Sequence, residues 1–109
     1  MKNSIHKIVA HVVQVSDTIT NTQPLIVDLH GMRKQLTDAV LGDAVTAETA
    51  EALREALDEV EMELAEPAPR RRRLREIVRG MTALAGGLSA SAGLVESIDS
   101  FTRTVNGVP

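Results

Sequence analysis

Three histidines, scattered serines and threonines, and a run of arginines are the residues of this chain whose types could do chemistry. His6 and His11 stand five residues apart, a spacing that puts them on neither one face of a helix nor one face of a strand. No carboxylate pair lies beside them, so they make a poor metal set. The chain has no cysteine, which excludes disulfides, zinc fingers, iron–sulfur clusters and thiol nucleophiles. Ser16, His30 and Asp99 could be written as nucleophile, base and orienting acid, yet Ser16 lacks the sequence of a nucleophile elbow. Gly86-Gly87 and Gly93 sit in an Ala/Ser pattern without the Gly-Lys-Ser/Thr ending of a phosphate loop. No catalytic residue, cofactor or metal is expected, and the chain reads as a non-enzyme.

The sharpest local signal is charge. From Glu48 to Glu66 there are eight acids against Arg54, and from Arg70 to Arg79 there are six arginines against Glu76. Clustered arginine can supply the sequence-independent part of nucleic-acid binding, which would use the run Arg70 to Arg75. There is no Trp or Tyr and only one Phe to stack on bases, which weighs against nucleic acid as a partner. The alternative is that the two blocks face each other across the Pro67–Pro69 turn, within a chain or between copies. Arginines at a helix N-terminus oppose the helix dipole, so acidic neighbours are the better explanation. Arg70, Arg71, Arg72 and Arg73 are the expected pairing residues, with Glu59 and Glu63 opposite.

The elements that must position these residues are mainly helical. The chain has 109 residues, 43% of them hydrophobic and 1% aromatic, so one small core must be built from Leu, Ile, Val, Met and Ala. Between Pro24 and Gly42, the residues Leu25, Leu29, Met32, Leu36 and Val40 keep one face of a helix, with Pro24 in its first turn and Gly42 at its C-terminal cap. A second helix is expected from Thr46, whose side chain can cap it, to about Ala65, with Ala50, Leu53, Leu57, Val60 and Leu64 on one face. The short link predicts an antiparallel hairpin over 24–42 and 46–65.

A third helical piece is expected over 69–105, either as one long helix or broken near Gly86-Gly87. Its apolar residues fit one heptad frame: Leu74, Met81, Leu88 and Val95 at one position, and Ile77, Leu84, Ile98 and Val105 at the other. Ser91 and Thr102 are its polar exceptions. As one helix it would be about 55 Å long at 1.5 Å per residue, roughly twice either hairpin helix. Half of its stripe would then need a cover, from a fold-back, another protein or, in the favoured reading, a second copy. Those eight apolar residues are the expected interface.

Residues 3–22 carry many β-branched side chains, and Val13, Val15, Asp17 and Ile19 alternate. Residues 1–23 therefore read as a separate N-terminal segment, with strand slightly ahead of helix, before a helical domain over 24–109. The stretch "NSIHKIVAHVVQVSDTIT", through Asn3-Ser4-Ile5, Val12-Val13-Gln14, Asp17 and Ile19, resembles a motif of small domains from bacterial conflict, or defence, systems. The later "ELAEPAPRRRRLREIV" and "MTALAGGLSASAGLVESI" are also similar to that family. Lys7, Ala10 and Ser16 stand where the family's first motif has glycines. The resemblance implies a non-catalytic, effector-associated adaptor and no catalytic residue.

A net charge of −3 leaves no overall basic field toward nucleic acid or anionic membrane. No small-x-small cleavage site follows Ile8 to Val15, and the uncharged stretch Gly80 to Val95 is sixteen residues, short of a span. A cytoplasmic location is expected. The function expected is a self-associating adaptor whose partners are a second copy and another protein. The alternatives are a membrane-active small effector using residues 74–101 and a weak nucleic-acid binder through Arg70 to Arg75.

Overall fold

A computed structural model describes residues 17–86 and 92–109. Four helices follow in order: α1 (Gln23–Leu41), α2 (Ala47–Leu64), α3 (Arg71–Ala85) and α4 (Ala92–Gly107). The main contacts run α1 to α2, α2 to α3, α3 to α4, and α4 back to α1, closing a four-helix ring. Side-chain bonds fix the directions. Arg33 on α1 reaches Asp58 and Glu61 on α2. Arg73 on α3 reaches Glu59 on α2, Arg71 reaches the Val105 carbonyl of α4, and Thr104 of α4 donates to Asp28 of α1. Neighbouring helices are thus antiparallel, an up-down-up-down bundle joined by short loops.

The first two helices form for reasons visible in their ends. Pro24 sits in the first turn of α1, where its missing N–H is not needed. Thr46 is extended and its hydroxyl accepts from the Thr49 N–H at 3.1 Å, capping α2. The end of α1 is closed by two bonds, Ala44 N–H to Ala39 carbonyl at 2.8 Å and Asp43 N–H to Val40 carbonyl at 3.2 Å. This is a Schellman closure, and its left-handed residue is Asp43, φ 54°, not the neighbouring Gly42, φ −90°. Gly42 occupies the cap position, and the strained conformation falls one residue later.

The core follows the expected stripes closely in the hairpin. Ala50, Leu53, Leu57, Val60 and Leu64 are all buried, as are Leu25, Leu29, Met32 and Leu36. Val40 is exposed instead, and Ala39 takes the last core position of α1. The piece expected over 69–105, as one helix or broken near Gly86-Gly87, forms two antiparallel helices, α3 and α4, that pack on each other. The physical reason is the uncovered stripe: folding back buries Leu94, Ile98, Phe101 and Val105 in the same core as Leu74, Ile77, Val78 and Met81.

The fold-back also changes the phase. The core of α4 is Leu94, Ile98, Phe101 and Val105, so Val95 leaves the core and Phe101, outside the heptad frame, enters it with no exposure. Thr102, a polar exception in that frame, lies at the edge of the core, where its hydroxyl donates to the Ile98 carbonyl at 2.9 Å.

Of the N-terminal segment, residues 1–16 lie outside the described residues, so the strand expectation is addressed only at its end. Thr18 forms one isolated antiparallel bridge with Arg70, Ile19 donates to the Pro69 carbonyl, and Thr20 and Asn21 donate to the Pro109 carbonyl. Buried Ile19 plugs this end of the bundle. Among the described residues there is no longer strand pairing.

Candidate functional site

The arginine run resolves into separate duties. Arg71 is the one charged side chain buried among the described residues, 8% exposed, with Nη1 2.6 Å from the Val105 carbonyl. That carbonyl belongs to the last turn of α4, where the helix dipole favours a cation and the orphan acceptors need donors. Arg75 Nε donates to Asn106 Oδ1 at 2.8 Å on the same turn. Arg73 lies between Glu59 and Glu76, 3.7 Å from each, and Arg72 approaches Glu76 at 4.0 Å.

Two carboxylates serve the backbone at the start of α3. Glu63 Oε2 accepts from the Arg70 N–H at 2.9 Å, and Asp17 Oδ1 from the Arg72 N–H at 3.3 Å. The negative oxygens thus sit where the dipole is positive, offsetting the arginines that follow. Of the expected pairs, Glu59 meets Arg73 directly, whereas Glu63 meets the backbone of Arg70 and no guanidinium. A stronger junction went unnoticed in the sequence: Arg33 Nη2 bonds Asp58 and Glu61 at 2.9 and 3.0 Å. Burial alone would lower its proton affinity, but the bonds and charges of Asp58 and Glu61 outweigh that and raise it.

The expected interface residues divide three ways. Leu74, Ile77, Met81, Ile98 and Val105 are buried inside the chain's own bundle, at most 5% exposed, so they cannot form a coiled-coil seam with a second copy while the bundle stays folded. This corrects the shared seam: the fold-back supplies its cover. Leu84 and Val95 remain on the surface, 38% and 41% exposed, and Leu88 lies outside the described residues. Of the triad that could be written, Ser16, like His6 and His11, lies outside the described residues, and His30 and Asp99 are exposed on α1 and α4. Among the described residues no group of three or more His, Asp or Glu could hold a metal ion.

A groove lies open between α3 and α4. Its wider part, about 510 Å³, has Val78 and Val105 at its floor and Arg75, Arg79 and Asn106 at its rim. A second part, about 200 Å³, shares Thr82 and continues past Ala85, Gly86, Val95 and Ile98 to Glu96 and Asp99. Compared with protein-family models, curated proteins and solved structures, the chain matches none.

The groove therefore has to be read from its own chemistry. An apolar floor with small side chains suits a helix laid against it. Its rim carries opposite charges at its two ends. Sequence periodicity could not find it, because the groove is made by the fold-back that the continuous heptad frame conceals. No helix among the described residues is long and apolar enough to cross a membrane.

Proposed function

We propose that this chain is a non-enzymatic helical interaction module that associates with copies of itself and with another protein, acting as an adaptor beside a bacterial defence effector. The observation that carries the interaction reading is the open groove between α3 and α4, lined by Val78, Val105, Ile98 and the partly exposed Val95. The arginines that a nucleic-acid reading would use are partly committed already: Arg71 to the end of α4 and Arg73 to two carboxylates. The membrane reading would require Leu74, Ile77, Met81 and Ile98 to leave the core. The link to a defence effector rests on the sequence resemblance alone, chiefly that of the motif with Asn3-Ser4-Ile5 and Val12-Val13-Gln14.

The test is solution mass by light scattering on a sizing column over a loading series, with refractive-index detection because the chain has no Trp or Tyr. A concentration-dependent mass above that of one chain is the expected result. A single-chain mass at every loading would overturn the self-associating part of the reading.

A further inference from the structure

We infer that a second copy docks its own α3/α4 groove onto this one across a two-fold axis, the helices running antiparallel, so that Arg79 of each copy meets Glu96 of the other. The inference deepens the proposed self-association and rests on it. A two-fold contact uses the same patch on both partners, so the patch must be complementary to itself when turned end for end. This groove meets that condition. Arg75 and Arg79 line its wider part and Glu96 and Asp99 its narrower part, so turning the groove end for end sets basic side chains toward acidic ones.

Both charges are exposed, and neither has an ionic partner among the described residues. Arg33, Arg54, Arg72, Arg73 and Arg103 each approach a carboxylate on the same chain, and Arg75 on the same groove is bonded to Asn106. The remaining lining includes small or apolar residues, Thr82 shared by both parts, Ala83 in the wider one and Gly86 with half-exposed Val95 in the narrower one, and can admit another helix closely.

The opposite side of the bundle argues for this face by contrast. Met62 on α2 is also exposed, at 71%, but it stands among Asp58, Glu59, Glu61 and Glu66. A two-fold there would bring acids onto acids, which is repulsive. On the α3/α4 face the same operation brings unlike charges together.

The test exchanges the charges. Arg79→Glu replaces a cation of the wider part by an acid, and Glu96→Arg replaces an acid of the narrower part by a cation. Both positions are exposed, so helicity by circular dichroism should match the unaltered chain. Each variant alone should lose at least about tenfold in self-affinity at low salt, while an equimolar mixture should form a one-to-one heterodimer, identified by native mass spectrometry. If the unaltered chain dimerises and both single variants dimerise equally well, this face is wrong although self-association stands. A mixture that stays monomeric likewise overturns the Arg79–Glu96 contact. An unaltered chain that is monomeric at every loading removes the proposed self-association and this inference together.

Discussion

Arg71 Nη1 lies 2.6 Å from the carbonyl oxygen of Val105, so the first residue of α3 closes the last turn of α4. A guanidinium there supplies a donor to an acceptor that α4 cannot satisfy internally, and places positive charge at the negative end of its dipole. The side chain is buried, and its aliphatic stem adds to the packing.

Replacing Arg71 by Met keeps the stem and removes the donor. Hydrogen bonds to charged groups are worth about 1.5–3 kcal/mol, so urea unfolding should show a loss of that order, with Tm falling by roughly 5–15 °C for a domain of this size. Arg72→Met, at an exposed neighbour, should change stability by less than about 0.5 kcal/mol. Equal losses at the two positions would show that the Val105 bond contributes little.

At the end of α1 the left-handed residue is Asp43, which has a Cβ where glycine has none. Asp43→Gly should therefore raise stability by about 0.5–1 kcal/mol, and Asp43→Val should lower it by at least as much. Thermal unfolding of the two variants checks the sign. A lower Tm for Asp43→Gly would mean that the aspartate side chain itself holds the turn.

The hairpin was legible in the sequence because its signals are local. Thr46 caps the helix it precedes, and Leu53, Leu57, Val60 and Leu64 repeat at one helical period without interruption. The second half was less legible because Ile98 and Val105 fit two phases at once. They belong to the continuous frame with Val95, and equally to the true core with Leu94 and Phe101. Only the return of the chain onto α1 and α3 decides between them, and that is a tertiary fact.

The same reasoning explains the charges. Opposite blocks on either side of Pro67 and Pro69 predict proximity, and Glu59 with Arg73 supplies it. No pattern distinguishes a carboxylate that meets a guanidinium from one, like Glu63, that meets a backbone N–H. Arg33, beside Lys34 alone, belongs to no charged block and stands 25 residues from Asp58, so no pattern pairs the two.

Phe101 is fully buried and is the only aromatic residue of the chain. Truncation to Ala should cost about 3–5 kcal/mol, a large part of the stability of a small domain. Leu84→Ala, at a surface position 38% exposed, should cost less than half as much. Denaturant unfolding of both variants separates the fold-back from a continuous coiled-coil seam. In the seam Leu84 would be the more damaging loss and Phe101 the milder one.

The two inter-helix ion-pair sites of α2 should differ in the same experiment. Arg33 bonds two carboxylates at 2.9 and 3.0 Å from a side chain 31% exposed, whereas Arg73 stands 3.7 Å from Glu59 at 46% exposure. Exposed pairs at long distance are worth from nothing to a few tenths of a kcal/mol, and a hydrogen-bonded junction of three charges up to about 1 kcal/mol. Arg33→Met should therefore lower the urea midpoint more than Arg73→Met. Raising salt from low to about 1 M should shrink both effects, and should remove that of Arg73 first, because its longer, more exposed separation is screened more completely. A larger effect at Arg73 would place the main α2 attachment on the arginine run, and the Arg33 junction would then be incidental to the fold.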